Sequence, residues 1–253
     1  GFRDYRGGGR SSARETIGRV AAGAIAEKFL KQLNISVTAY AKSIGPVEVS
    51  PERMDLAEIQ NNRFCLPDAE AAKAAEDYLD QKIAECDSVG GVVECVISGL
   101  PVGLGEPVFE KLDANLAKAI LSIGAVKGFE IGDGFAATKA CGSENNDEFR
   151  MDGDKIVKET NHAGGVLGGI SDGSDVVFRA AFKPTPSIAK SQETVTKDGA
   201  NIDLVIHGRH DPVVVPRAVV VVESMAAITA MDMLLVSMTS RLDLIQIFFQ
   251  VEN

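Results

Sequence analysis

The stretch that most limits how this chain can fold lies near its start. There Gly7-Gly8-Gly9 runs through Arg10, Ser11 and Ser12 into an alanine-rich segment ending at Leu33. Three consecutive glycines favour a loop, because each costs a helix about 1 kcal/mol relative to alanine. Ser12 followed three residues later by Glu15 is a capping box: the hydroxyl accepts from first-turn amides and the carboxylate reaches back to the cap. The spacing therefore predicts a loop that ends at Ser12 and a helix over 12–33. Ile17, Val20, Ala21, Ala24 and Ile25 repeat at helical spacing, and Gly18, Ala22, Gly23 and Ala26 fill much of the rest. Side chains this small suit a helix packed closely on several sides, against a sheet.

A glycine loop feeding a helix start leaves N–H groups pointing outward with the positive end of the dipole behind them. Arg3, Arg6, Arg10, Arg14 and Arg19 crowd this one terminus in a chain of net charge −10. That concentration of guanidinium predicts a pocket for phosphate or carboxylate groups. The sequence contains no G-x-x-x-x-G-K-[ST] and no G-x-G-x-x-G after a strand, so neither a P-loop nor a dinucleotide fold is indicated.

With 253 residues, 45% of them hydrophobic, the chain can bury one large domain or two tightly joined halves. It has no run of 18 uncharged apolar residues and no signal peptide, which predicts a soluble, cytoplasmic protein. An isoelectric point near 4.9 argues against nucleic acid or an anionic membrane as partner. Cys65, Cys86, Cys95 and Cys141 lack C-x-x-C spacing, so reduced and mostly buried thiols are expected, with no metal site.

After the first helix, 35–41 alternates like a strand, and 46–67 is irregular with a helical turn at 55–60. Asp68 opens a helix whose stripe is Ala71, Ala72, Ala75, Leu79, Ile83 and Ala84. Strand 92–98, a helix from Glu106 to Leu121 and strand 126–131 follow. Residues 143–160 are polar enough to be an exposed loop. Strand 176–182 precedes a hairpin marked by Lys197-Asp198-Gly199. Val213 to Val222 is β-branched and apolar, and a last helix is expected from about Glu223 to Ser240; the tail after Arg241 is weakly patterned. This order predicts an α+β fold, built as a duplicated α/β unit.

Asp232 shares a helical face with Met225, Ile228, Leu235 and Val236, so it either has a buried partner or lies at a solvent edge. Asn161 to Ile170 holds four glycines, suited to close backbone approach to a flat ligand or simply to tight turns. Lys183-Pro184-Thr185-Pro186-Ser187 offers a cation, hydroxyls and a rigid backbone at a strand exit. No Ser-His-Asp or Cys-His arrangement is readable. His162, His207 and His210 lack metal-ligand spacing and read as hydrogen-bonded structural histidines.

DYRGGGRSSARET at 4–16 resembles the central signature of the chorismate synthases, and later stretches agree with that family in order. They are GLPVGLGEPVF at 99–109, SIGAVKG at 122–128, NHAGGVLGGI at 161–170, KPTPS at 183–187 and GRHDP at 208–212. The resemblance implies a β-α-β layered sandwich, a single domain over 1–253, and a homotetramer. It implies conversion of 5-enolpyruvylshikimate 3-phosphate to chorismate by anti-1,4-elimination, with reduced flavin mononucleotide (FMN) as cofactor. Whether NADP(H) or an outside reductase supplies the electrons is left open by the sequence.

By the same resemblance Arg10, Ser11, Ser12, Gly124, Ala125, Gly168, Lys183, Pro184, Thr185, Pro186, Ser187 and Arg209 contact the flavin. Arg14 and Arg217 hold the anionic substrate, and Asp232 handles a proton near the flavin. Gly124 and Pro186 stand where the family usually has asparagine and serine, so backbone contacts are expected there in place of side-chain ones. The family's two catalytic histidines lie upstream of the first motif, so the 253-residue chain is expected to show little turnover. A flavin- or phosphate-binding module without catalysis, and a sugar-phosphate enzyme without flavin, are the alternatives.

Overall fold

The computed structural model describes residues 8, 12–208 and 211–250. Its frame is a five-stranded antiparallel sheet in the order β2-β1-β3-β9-β4, with β1 Ser36–Ile44, β2 Val47–Glu48, β3 Gly91–Ser98, β4 Val126–Ile131 and β9 Val176–Phe182. Strand β3 shows why the sheet has two faces. Val93, Cys95 and Ile97 are buried under helices, while Glu94 points to the other side and accepts a hydrogen bond from Tyr40. Three two-stranded hairpins flank the sheet: β5 Phe149–Asp152 with β6 Lys155–Lys158, β7 Val166–Leu167 with β8 Ile170–Ser171, and β10 Gln192–Val195 with β11 Asn201–Leu204.

Helix α1 runs over Thr16–Lys31 behind a 3-10 turn at Ala13–Glu15. α2 is Ala69–Ala84, capped by Asp68, whose carboxylate accepts from the amides of Glu70 and Ala71. α3 is Leu112–Leu121, α4 Val215–Met238 and α5 Leu242–Phe248. α4 lies on β1 and β3, and α1 and α3 pack against α4. Gly23 is where α1 and α4 come closest: a Cβ there would sit 2.3 Å from Ser224 Cβ. α4 is long and apolar enough to cross a membrane by length and composition, yet 56% of its apolar window is buried against the rest of the protein. It serves here as a core helix.

The α+β class holds. Among the described residues, however, the large strand layer is this single sheet, and no second α/β unit is found. Five local expectations are corrected. The β-branched run at 213–222 is helical, because Pro216 suits a first helical turn and Ala218, Val219, Val221 and Val222 are buried in the core, which overrides a weak propensity. The third helix starts at Leu112, not Glu106. Glu106 and Glu110 close a tight loop, and the Leu112 amide donates to the Gly169 carbonyl at 2.8 Å.

Within 143–160, expected as an exposed loop, residues 149–158 form the β5–β6 hairpin. It is anchored by Lys158, whose ammonium is buried between Asp172 at 2.7 Å and Asp147 at 3.1 Å. The outward side of α1 carries Ile17 and Ile25, which are 73% and 69% exposed. The buried side is Gly23, Ala26 and Leu30, and the absence of a side chain at Gly23 is what permits the close crossing with α4. Of the thiols, Cys95 is buried and Cys65 half-buried, whereas Cys86 and Cys141 are exposed.

Candidate functional site

Four segments remote in sequence converge on one cavity of about 690 Å³, within the roughly 300–1,000 Å³ usual for small-molecule sites. The first is the start of α1, which contributes Ala13, Arg14, Thr16 and Ile17. Ser12 adopts an extended backbone and its hydroxyl accepts from the Arg14 amide at 3.3 Å, so the cap forms as its sequence requires. Glu15 does not complete the box; its carboxylate accepts from Arg19 Nε at 2.9 Å.

The second segment is the α3–β4 loop with Ile123, Gly124 and Ala125. Ala125 has φ +73, a left-handed conformation that costs a non-glycine residue about 1–3 kcal/mol and persists only where the surroundings enforce it. Its carbonyl accepts from the Lys183 amide at 3.0 Å. That bond leads into the third segment, the β9 exit from Phe182 through Lys183, Pro184, Thr185, Pro186 and Ser187. The Thr185 carbonyl is fixed by the Ser88 hydroxyl at 2.7 Å, while Thr185 Oγ1 is buried without a hydrogen-bond partner. An orphaned buried hydroxyl costs about 1–3 kcal/mol, so a site containing one fits a ligand that supplies the missing bond.

The fourth segment brings Asp211, Val214, Arg217, Ala218 and Val221 from the approach and first turns of α4. Arg217 Nη1 lies 2.5 Å from Asp211 Oδ2. Arg14 and Lys183 have no carboxylate partner among the described residues. Ile17, Ile123, Phe182 and Val221 give the cavity an apolar side, and the three cations give it an anion-binding one. Such a set suits a ligand that joins a flat apolar body to phosphate or carboxylate groups.

The structure thus brings together Arg14, Gly124, Ala125, Lys183, Pro184, Thr185, Pro186, Ser187 and Arg217. Ser12 stands beside the cavity as the cap of its first wall. Arg10, Ser11 and Arg209 lie outside the described residues, as do Arg3, Arg6 and His210. Gly168 and Asp232 are not brought to the cavity. Gly168 is in the β7–β8 turn next to Gly169, at the N-terminal end of α3, a helix about 15 Å long whose other end forms the cavity wall. Asp232 is exposed on α4, about 20 Å along the axis from Arg217. Its neighbour Met233 meets Asn115 near the same end of α3. The choice between a buried partner and a solvent edge is therefore decided for the edge.

Arg19 also leaves the expected arginine cluster, since its guanidinium is taken up by Glu15 and Ser122. Sequence reasoning missed Asp211 as a site residue. The signal was present, because Asp211 belongs to the GRHDP stretch and is, among the described residues, the one carboxylate lining the cavity. His162 is a hydrogen-bonded histidine, with Nδ1 2.7 Å from Asp133 Oδ2, remote from the cavity walls.

The family model described as chorismate synthase matches residues 1–235. A chorismate synthase of Lachnoclostridium phytofermentans is 61% identical over 251 residues, covering 99% of this chain and 68% of the relative. One from Agathobacter rectalis is 63% identical over 250 residues with the same coverage. Among solved structures, a crystal structure of chorismate synthase superposes with a TM-score of 0.76 at 32% identity, covering 90% of this chain and 65% of that one.

Proposed function

The chain belongs to the chorismate synthase family, and from that premise we propose that its cavity is where reduced FMN and 5-enolpyruvylshikimate 3-phosphate meet for the anti-1,4-elimination that yields chorismate. One observation carries the reading. Arg14, Gly124-Ala125, Lys183–Ser187 and Arg217, far apart in the chain, share one cavity that also holds a buried unpartnered hydroxyl on Thr185. The residues fit such a cofactor: Ile17, Ile123 and Phe182 offer an apolar wall for a ring system, and Lys183, Thr185 and Ser187 offer donors for its polar atoms.

When bound, the reduced flavin supplies electron density to the substrate as phosphate leaves. The protein's part is electrostatic and positional. Arg14 and Arg217 clamp the phosphate and carboxylate groups and stabilise the charge that builds on the departing anion. They act beside an apolar wall, where such contacts are stronger than in water. A hydrogen must also leave C6. Asp211 lines the cavity with Oδ2 engaged by Arg217 and Oδ1 left to accept, and it joins Asp232 as a carboxylate proposed to handle that proton. Cytoplasmic location, a homotetramer, a single domain and electron supply from NADP(H) or a reductase belong to the same proposal.

The experiment is a titration of oxidised FMN followed by its fluorescence, with and without 5-enolpyruvylshikimate 3-phosphate. Saturable quenching is expected, tightened by the substrate. Arg14→Ala is expected to remove that tightening while leaving flavin affinity within about twofold, a loss on the scale of a charge-assisted pair. Absence of quenching refutes the flavin reading. Chorismate formation under anaerobic conditions then separates an enzyme from a binding module on the same scaffold.

A further inference from the structure

The cavity exists only while its separate walls stay in register, and most junctions are ordinary backbone hydrogen bonds. The Lys183 amide to the Ala125 carbonyl joins the β9 exit to the α3–β4 loop. The Val89 amide to the Pro212 carbonyl ties the approach to α4 to the start of β3. The junction between α1, which follows directly on the 3-10 turn holding Arg14, and the α3–β4 loop is made by one side chain. Arg19 Nη1 donates to Ser122 Oγ at 2.6 Å and Nη2 to the Ser122 carbonyl at 3.3 Å, while Nε is held by Glu15 at 2.9 Å. Ser122 Oγ passes the bond on to the Ala119 carbonyl inside α3. Among the described residues no other hydrogen bond links α1 to this loop.

We propose that Arg19 is a positioning residue that sets the spacing between the Arg14 wall and the Gly124-Ala125 wall, and through it the fit of the flavin and the phosphorylated substrate. The proposal rests on the functional reading above. Its geometry uses what is specific to a guanidinium. Glu15 fixes one edge of the fork on α1, and the other edge grips Ser122, the C-cap of α3, where the helix presents its negative end. An ammonium can serve one of these edges but not both. Three residues beyond the grip stands Ala125 at φ +73, whose left-handed backbone must be enforced from outside. Arg19 holds the upstream end of that turn and the Lys183 amide holds the downstream end.

Arg19→Met tests this, because it keeps an unbranched side chain of helical propensity and removes every guanidinium donor, including Nη1, which also lies 3.9 Å from Met225 Sδ. Two readouts are compared with wild type and with Arg19→Lys: hydrogen exchange of 120–126 without ligand, and the dissociation constant for oxidised FMN. Arg19→Met is expected to speed exchange of 120–126 about tenfold and weaken FMN binding by a similar factor, the scale of losing a charge-assisted hydrogen bond. α4 should keep its wild-type protection, and Arg19→Lys should recover part of both effects. Unchanged exchange at 120–126 overturns the proposal. Faster exchange spread equally over α1, α3 and α4 overturns it too, since Arg19 would then be a general stabiliser. If wild type itself binds no FMN, the functional reading falls, and the exchange comparison still decides the role of Arg19.

Discussion

Replacing Glu223 by glutamine should stabilise the protein at alkaline pH and do almost nothing at acid pH. Glu223 sits on the face of α4 turned to β1, where the Ala39 amide donates to it at 3.3 Å. Burial, and then the like charge of Glu27 on α1, push its carboxyl up from 4.5 to about 7, against smaller opposing effects of that amide and of Lys31. In the unfolded chain the carboxyl ionises near 4.5 without hindrance. Below that pH both states are protonated and the group is neutral to stability. As pH rises from about 4.5 to about 7 the unfolded state sheds its proton first, so the fold loses stability across that window and stays lower above it. A displacement of this size corresponds to about 3 kcal/mol, and partial solvent contact brings the expectation to about 2–3 kcal/mol. Glu223→Gln keeps the acceptor for Ala39 and cannot ionise. Urea unfolding at pH 4 and pH 8 should therefore give a difference between variant and wild type that is near zero at the lower pH and about 2–3 kcal/mol in favour of the variant at the higher. A difference of equal size at both pH values would show that Glu223 is not held neutral by burial, and the reasoning would fail.

Other perturbations probe separate joints of the structure. Gly23→Ala should cost about 1–3 kcal/mol in chemical denaturation, because its methyl would overlap Ser224 at the α1–α4 crossing; a neutral result would contradict the close approach. Lys158→Met leaves Asp147 and Asp172 facing each other in the interior, and should lower stability by about 3–5 kcal/mol. A loss below about 1 kcal/mol would place that ion group at the surface. Thr185→Val should raise the melting temperature of the ligand-free protein, since it removes an unpaired buried hydroxyl, while weakening FMN binding. Both changes in the same direction would mean that the hydroxyl is not reserved for a ligand.

Much of the fold was legible where a local rule acts alone. The caps at Ser12 and Asp68 and the turn at Lys197-Asp198-Gly199 fixed element starts and a hairpin, because capping and turn geometry depend on a few neighbouring residues. The reading failed where distant packing decides. Val215–Val222 is helical because α4 is buried among α1, α3 and the sheet, which no local pattern records. Lys158 looked like one charge in a polar stretch, and only the fold brings Asp172 to it.

The candidate site shows the same division. Its glycine, arginine and KPTPS segments could be picked out as motifs. Helical periodicity left Asp232 open between a buried partner and a solvent edge, and it could not bring forward Asp211, which the approach to α4 delivers to the cavity. Arg19 looked like one more anion-binding arginine because pairing with Glu15 and Ser122 depends on the helix register and on where α3 ends.

The central claim is that four separated segments form one flavin and phosphate site. Hydrogen exchange measured with and without oxidised FMN tests it most directly. The account predicts that 13–17, 122–126, 183–187 and 211–221 gain protection together, while the β10–β11 hairpin is unchanged. Protection confined to one of these segments, or appearing at Asp232 and the β7–β8 turn without them, would contradict it.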